Sequence, residues 1–266
     1  MKPFVNYLLI GVLLVGGLSN CAPTITTYHL EPVSGDVATI DGRQVTKAEQ
    51  NGLGVVASFE REDLEFVALD VELKNNTDQP IDVNPAHFRF TALDSTRTPL
   101  TDLNAPNQLL TQTAADPTYE AGRIDYKRKQ EEKRLKRAKV FNTILMVATI
   151  ASDVSSSSHN RSYGEYINNR ITHNFAYQGI AIKRAINYGT FANRMQQYDY
   201  EEYRWRELAL KANTLAPGQS IRGLVYLPKA ATARYLDISY TVPEQATVSL
   251  LFSQNMVRQK KVRQRR

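Results

Sequence analysis

The sequence predicts an α+β protein, a mainly β sandwich interrupted by a large α-helical insertion. Three observations predict it. Residues 36–106 and 214–253 carry short β-prone runs set off by turn residues. Residues 107–213 hold few strand signals and long stretches of good helix formers. The whole is 42% apolar and 23% charged, the composition of a globular protein with a core to bury.

The N-terminus comes first in chain order. Lys2, the apolar run Leu8–Val15, small residues and then Cys21 give the n-region, h-region and cleavage-site pattern of a secretory signal over residues 1–20. The run Leu18-Ser19-Asn20-Cys21 resembles the lipobox of bacterial lipoproteins, with Asn20 where glycine or alanine is commonest. The resemblance implies a diacylglycerol thioether on Cys21, cleavage just before it and acylation of the new amine. Cys21 is then the lipid attachment site and not a nucleophile. Two or three acyl chains hold a protein durably, because each buried methylene contributes about 0.8 kcal/mol. Two other readings stay open: ordinary cleavage just after Cys21, and an uncleaved anchor. The apolar run to Leu18 is short for the last, since a spanning helix needs about 20 residues. Ala22, rather than aspartate, follows the cysteine, which by enteric-type sorting implies the outer membrane. Cys21 is the sole cysteine, so no disulfide is expected and the fold must rest on its core.

About 245 residues follow the signal, enough for one large domain or a domain with an insertion. Residues 21–35 read as the lipidated cysteine and a linker. Val37–Ile40 then runs into Asp41-Gly42, a tight-hairpin dipeptide, and 53–59 is β-prone. In the clearest strand Val67, Leu69, Val71 and Leu73 alternate with Ala68, Asp70, Glu72 and Lys74, giving one buried and one wet face. Asn75–Pro80 breaks it, and Ile81, Val83, Phe88 and Phe90 begin the return. Downstream, Leu215–Ser220 is a turn, and Ile221–Leu227, Tyr235–Tyr240 and Thr247–Phe252 are strands. Seven or eight short strands with turns between them are the pattern of a β sandwich.

The block Val67–Ile81, a strand entering an Asn-rich turn, and the block Leu215–Tyr226, a Pro-Gly turn feeding a glycine-bearing strand, resemble the telokin-like immunoglobulin-fold accessory domains of bacterial lipoproteins and secreted proteins. The resemblance covers roughly residues 36–105 and 214–253. It implies an immunoglobulin-like sandwich in an envelope setting and no shared catalytic residues.

The insertion departs from that family. Tyr119–Lys139 is highly charged and free of proline, and Val140–Ala151 continues it with apolar residues most of the way round. Ser155–Asn160 reads as a flexible break, and a second helical region, interrupted by Gly179 and Gly189, ends in the run Tyr198–Lys211. A helical hairpin or small bundle results, tolerable if its ends lie close together. Twelve residues are too few to span a bilayer and suit a buried core helix. Two alternatives are a membrane-surface segment whose Lys136, Arg137 and Lys139 face phosphates, and a partner contact through Phe141, Ile144 and Leu145.

The net charge of +6 is unevenly spread. Nine Lys/Arg against three Asp/Glu lie in Arg123–Lys139, and the tail, residues 254–266, adds Arg258, Lys260, Lys261, Arg263, Arg265 and Arg266. At a membrane these patches suit anionic lipid or envelope polymer and not nucleic acid. For the helix a solvated face is the simpler reading, and for the tail a disordered segment explains the charge equally well.

Motifs for chemistry are sparse. His29, His87, His159 and His173 occur singly, without zinc-ligand spacing. Ser155–Ser158 lacks a nucleophile-elbow pattern and reads as a linker. Asp199, Glu201 and Glu202, beside Tyr200, Tyr203 and Trp205, suit either a sugar-binding groove or an amphipathic surface helix. The expectation is a non-enzymatic lipoprotein without cofactor or metal, binding an envelope protein or anionic polymer. One alternative is a scaffold or assembly subunit using residues 140–151, and another is an envelope hydrolase using acids of the insertion.

Overall fold

The structure, a computed structural model, describes residues 24–102, 105–243 and 245–260. The signal segment, Cys21, Lys261, Arg263, Arg265 and Arg266 lie outside the described residues. The fold is α+β with antiparallel sheets. Fourteen strands are described: β1 (Thr24–Pro32), β2 (Asp36–Ile40), β3 (Arg43–Gln50), β4 (Leu53–Asp63), β5 (Phe66–Asn75), β6 (Ile81–Val83), β7 (Phe88–Leu93), β8 (Thr101–Asp102), β9 (Ala105–Leu109) and β10 (Thr111–Thr113) precede two helices, α1 (Pro117–Ser157) and α2 (Tyr163–Tyr203). β11 (Asn213–Leu215), β12 (Ser220–Pro228), β13 (Tyr235–Val242) and β14 (Ala246–Lys260) follow. The chain divides into a sheet unit, up to Ala114 and from Ala212, and a helical unit, Ala115–Lys211.

Two five-stranded sheets make the sheet unit, in the orders β1-β14-β13-β7-β10 and β12-β5-β4-β3-β2, with small two-stranded pairs β6–β11 and β8–β9. The run β2 to β5 is a meander. Two of its turns are type I′-like: Asp41 and Gly42 have φ of 50° and 77°, and Asn51 and Gly52 have 50° and 79°. Such turns match the twist of the strands they join. A side chain at Gly52 would also meet Thr77 Cγ2 at 2.7 Å. In β5 Val67, Leu69, Val71 and Leu73 are fully buried as the alternation predicts, and Asp70, Glu72 and Lys74 reach solvent, but Ala68, read as part of the wet face, is fully buried because this end of the strand is covered on both sides. On its other face Asp70 accepts a bidentate pair from Arg222 of β12. From the other sheet, Phe88, Phe90, Leu236, Ile238 and Phe252 are buried. The sheets meet where β1 and β14 lie against β3 and β4, as in the edge-on contact of His29 with Phe59, 4.7 Å between centroids.

Asn75 ties two distant turns together. Fully buried, it donates from Nδ2 to the carbonyls of Gln79 (2.7 Å) and Leu215 (3.0 Å), and its Oδ1 accepts from Thr77 N and Oγ1. Its backbone exchanges bonds with the Pro-Gly turn, Asn75 N to Gln219 O and Gly218 N to Asn75 O. The two sequence blocks that carry the family resemblance are therefore hydrogen-bonded neighbours.

Several expectations are corrected. The linker is a strand: all of β1 pairs with β14, Thr24 opposite Lys260 and Pro32 opposite Phe252. Its β-branched, alternating residues supply the pleated face, and the backbone of the tail to Lys260, including Arg258, is the other half of the ladder and not a free tail. Residues 107–113, read as insertion, contribute to β9 and form β10, and Asn213 begins β11. Thr113 pairs with Arg89 and Asn213 with Val83, so the chain leaves and re-enters the sheet unit beside one short segment, Val83–Arg89. That closeness is what lets a sheet tolerate so long an interruption. Ser155–Ser157 is helical, and α2 runs unbroken through Gly179 and Gly189, where an added Cβ would meet nothing within 4 Å.

Candidate interaction surface on the helical hairpin

Both helices of the hairpin have 41 residues, about 60 Å at 1.5 Å per residue. Asp116 caps α1, its side chain accepting from Thr118 N (2.8 Å) and Tyr119 N (3.4 Å), with Pro117 in the first turn and Glu120 facing the positive end of the helix dipole. Ser162 caps α2 by accepting from Glu165 N, while Glu165 Oε2 accepts from Arg161 N, close to a capping box. After α2 the chain makes one π-helical turn, Arg204–Leu208, which buries Arg204 and Trp205.

Polar groups hold the two helices together. At the base Arg128 reaches Asp199 Oδ1 (2.8 Å) and Glu202 Oε2 (2.7 Å), Arg206 reaches Asp125 (3.3 Å) and Glu202 (2.7 Å), and Arg194 pairs with Glu131. Toward the tip Ser156 Oγ lies 2.9 Å from His173 Nε2, Tyr177 donates to Asp153 (3.3 Å) and Asn169 Nδ2 to Asn160 Oδ1 (2.8 Å). Burial, and after it the Asp153 carboxylate, hold the Tyr177 hydroxyl above its ordinary range. Burial, and then Glu131, do the same for Tyr198. Asn142 is also buried in this seam.

These contacts revise the reading of several residues. Asp199 and Glu202, considered for a sugar groove, are engaged by arginines, and Glu201 is buried beside Gln197. The basic stretch 123–139 is in part an ion-paired inner face. Lys136, Arg137 and Lys139 remain exposed, Lys139 standing 5.3 Å from the centre of the Tyr188 ring and Lys183 4.3 Å from that of Phe141. Ser156 meets His173, but its hydroxyl also lies 3.1 Å from the Asp153 carbonyl, and the Asp153 carboxylate is taken by Tyr177. The group is a polar clasp between helices. Among the described residues no cluster of three or more His, Cys, Asp or Glu is placed to hold a metal.

The apolar residues lie on the outside, which overturns the expectation of a buried core helix. Val140, Ile144, Val147 and Val154 are 59–66% exposed, Phe141 is half exposed and Leu145 is half-buried. On α2, Ile167, Ile171, Phe175, Ile182 and Ile186 are exposed in turn. Because α1 continues to Ser157, it contains an 18-residue stretch long and apolar enough, by length and composition, to cross a membrane, with 6% of it buried. The twelve-residue run taken alone understates it.

Comparison with protein families, with curated proteins and with solved structures yields no match. The α2 row and the Ser156–His173 contact are the two features sequence reasoning missed. The first was open to detection through apolar residues at spacings of four and seven. The second joins residues 17 apart across a turn, with no motif to announce it.

Proposed function

We propose that this protein is a lipid-anchored, non-catalytic interaction module of the bacterial cell envelope. In this reading Cys21 carries the acyl chains, an immunoglobulin-like sandwich is the body, and the helical hairpin makes the contact. The observation that carries it is the hairpin's exterior: large apolar side chains are exposed along both helices, while polar pairs join the helices and only Ile124 and Ile180 among their large apolar residues are buried. Exposed uncharged rows of that extent mark a surface that something else covers. The sandwich reading is supported by the two facing five-stranded sheets and by the Asn75 knot between the resembling blocks. The same rows favour a second form of the proposal, a scaffold or assembly subunit of an envelope complex.

Two experiments test it. Cys21→Ser is expected to release the protein from membranes in fractionation, and equally firm retention of the variant removes the anchor. A photo-crosslinking residue at Ile144, used in the full chain in its own membranes, is expected to give products joining separate chains. Recovery of intramolecular products alone removes the interaction reading.

A further inference from the structure

The first and last described strands lie side by side. β14 pairs with the whole of β1, from Phe252 opposite Pro32 to Lys260 opposite Thr24, so the ladder ends three residues after Cys21 and six before Arg266. Three residues of chain span at most about 10 Å, and paired strands stand about 5 Å apart. The backbone of Lys260 is therefore within about 15 Å of Cys21, although nearly the whole sequence separates them.

Charge at this end of the ladder has one sign. Residues 22–30 contain no Asp, Glu, Lys or Arg, and residues 254–266 contain six Lys/Arg and no acid. The first acid on either strand, Glu31, stands opposite Ser253, seven pairs back from the end, about 23 Å at 3.3 Å per residue. Glu62, which accepts from Tyr28 N beside β1, is engaged by Lys229. The two strands therefore supply nothing to balance the cations they carry. The basic stretch of α1 differs, because Arg123, Arg128 and Arg134 are ion-paired there.

We propose that the end of the β1–β14 ladder, with residues 258–266, binds the phosphates of anionic lipid headgroups and so adds an electrostatic hold to the acyl chains on Cys21. This rests on Cys21 being the anchor proposed above. Acyl chains at the end of one strand keep the cations of its neighbour at the headgroup layer, so they meet lipid phosphate at high effective concentration. Each basic residue near an anionic surface raises partition about fivefold. An acidic protein offers the same charge, but the anchor brings lipid, and no protein, to this spot in every copy. The acyl chains then hold the protein to any bilayer, and the patch favours an anionic one. It also turns this end of the sheet unit toward the membrane, with Gln245, in the turn at the far end of β14, about 45 Å away along the strand.

The test combines Lys261→Gln, Arg263→Gln, Arg265→Gln and Arg266→Gln in the full chain, changes that leave the ladder untouched, with flotation on phosphatidylcholine vesicles made with or without phosphatidylglycerol. The Cys21→Ser chain is expected to float with the phosphatidylglycerol vesicles at low salt and to leave them at high salt. Adding the four glutamines is expected to weaken that flotation at least about tenfold, with circular dichroism unchanged. In the acylated chain a fluorophore on Gln264→Cys is expected to be quenched by nitroxide-headgroup lipid, more strongly with phosphatidylglycerol present, and one on Gln245→Cys is not. Equal flotation of the Cys21→Ser chain with both kinds of vesicle, or undiminished flotation after the four changes, overturns the proposal and leaves the anchor standing. So does quenching at position 264 that neither phosphatidylglycerol nor salt alters. A parent chain that leaves phosphatidylcholine vesicles at high salt refutes the anchor, and with it the two-part hold.

Discussion

The sheet unit and the hairpin solve opposite problems with the same residue types. In the sheet unit valines, leucines and phenylalanines turn inward, and its charged pairs, such as Arg222 with Asp70, sit at the surface. In the hairpin Ile124 and Ile180 are buried, but the other apolar residues named above turn outward while Ser156 meets His173 and Asp153 meets Tyr177 between the helices. The first arrangement is stable by itself, because burial contributes about 25 cal/mol per Å² of apolar surface. The second leaves that apolar surface exposed. The sheet unit thus fixes a shape, and the hairpin presents a surface.

This contrast is sharpest in the response to truncation. Phe90→Ala, at a fully buried site of β7, is expected to cost about 4 kcal/mol, read as loss of hydrogen-exchange protection across the sheets. Asn75→Ala removes the side-chain bonds joining two turns and strands buried carbonyls, an expected loss of about 3 kcal/mol by the same measurement. Tyr240 gives the sheet unit a pH signature. Burial pushes its hydroxyl up to about 12 against an ordinary value of about 10. The unfolded chain ionises first, so stability is full below pH 10 and falls as the pH rises through 12, by up to about 2.7 kcal/mol. Tyr240→Phe, which deletes the acceptor for Asn84 N, is expected to cost about 1 kcal/mol at pH 7 and to flatten the fall, as followed by urea unfolding at a series of pH values. Val147→Ala on the hairpin is expected to change unfolding, reported by Trp205 fluorescence, by less than about 0.5 kcal/mol. A large effect there would erase the distinction between the two units.

How much of this was legible in the sequence follows the range of the forces involved. The alternation of Val67, Leu69, Val71 and Leu73 and the Asp41-Gly42 turn are local, and both were readable. Asn51-Gly52 is an equally local turn signal. The β1–β14 ladder was not readable, because it joins residues about 230 apart in sequence and its C-terminal half looks like a solvated basic run. Helical periodicity showed that Val140–Ala151 has an apolar face. It says nothing of whether that face meets its own chain, since the inner seam on the same helix repeats with a similar period. The clasp at Ser156 and His173 depends on the length of the turn between the helices, which the polar run 155–160 obscured.

The placement of Thr113 and Asn213 on one short segment makes the arm separable from its support. A glycine–serine bridge from Ala114 to Ala212 would yield a shortened protein whose sheets lose no strand. Conversely, the same two anchorage points would accept an insertion of different length or composition without change to the strands that flank it.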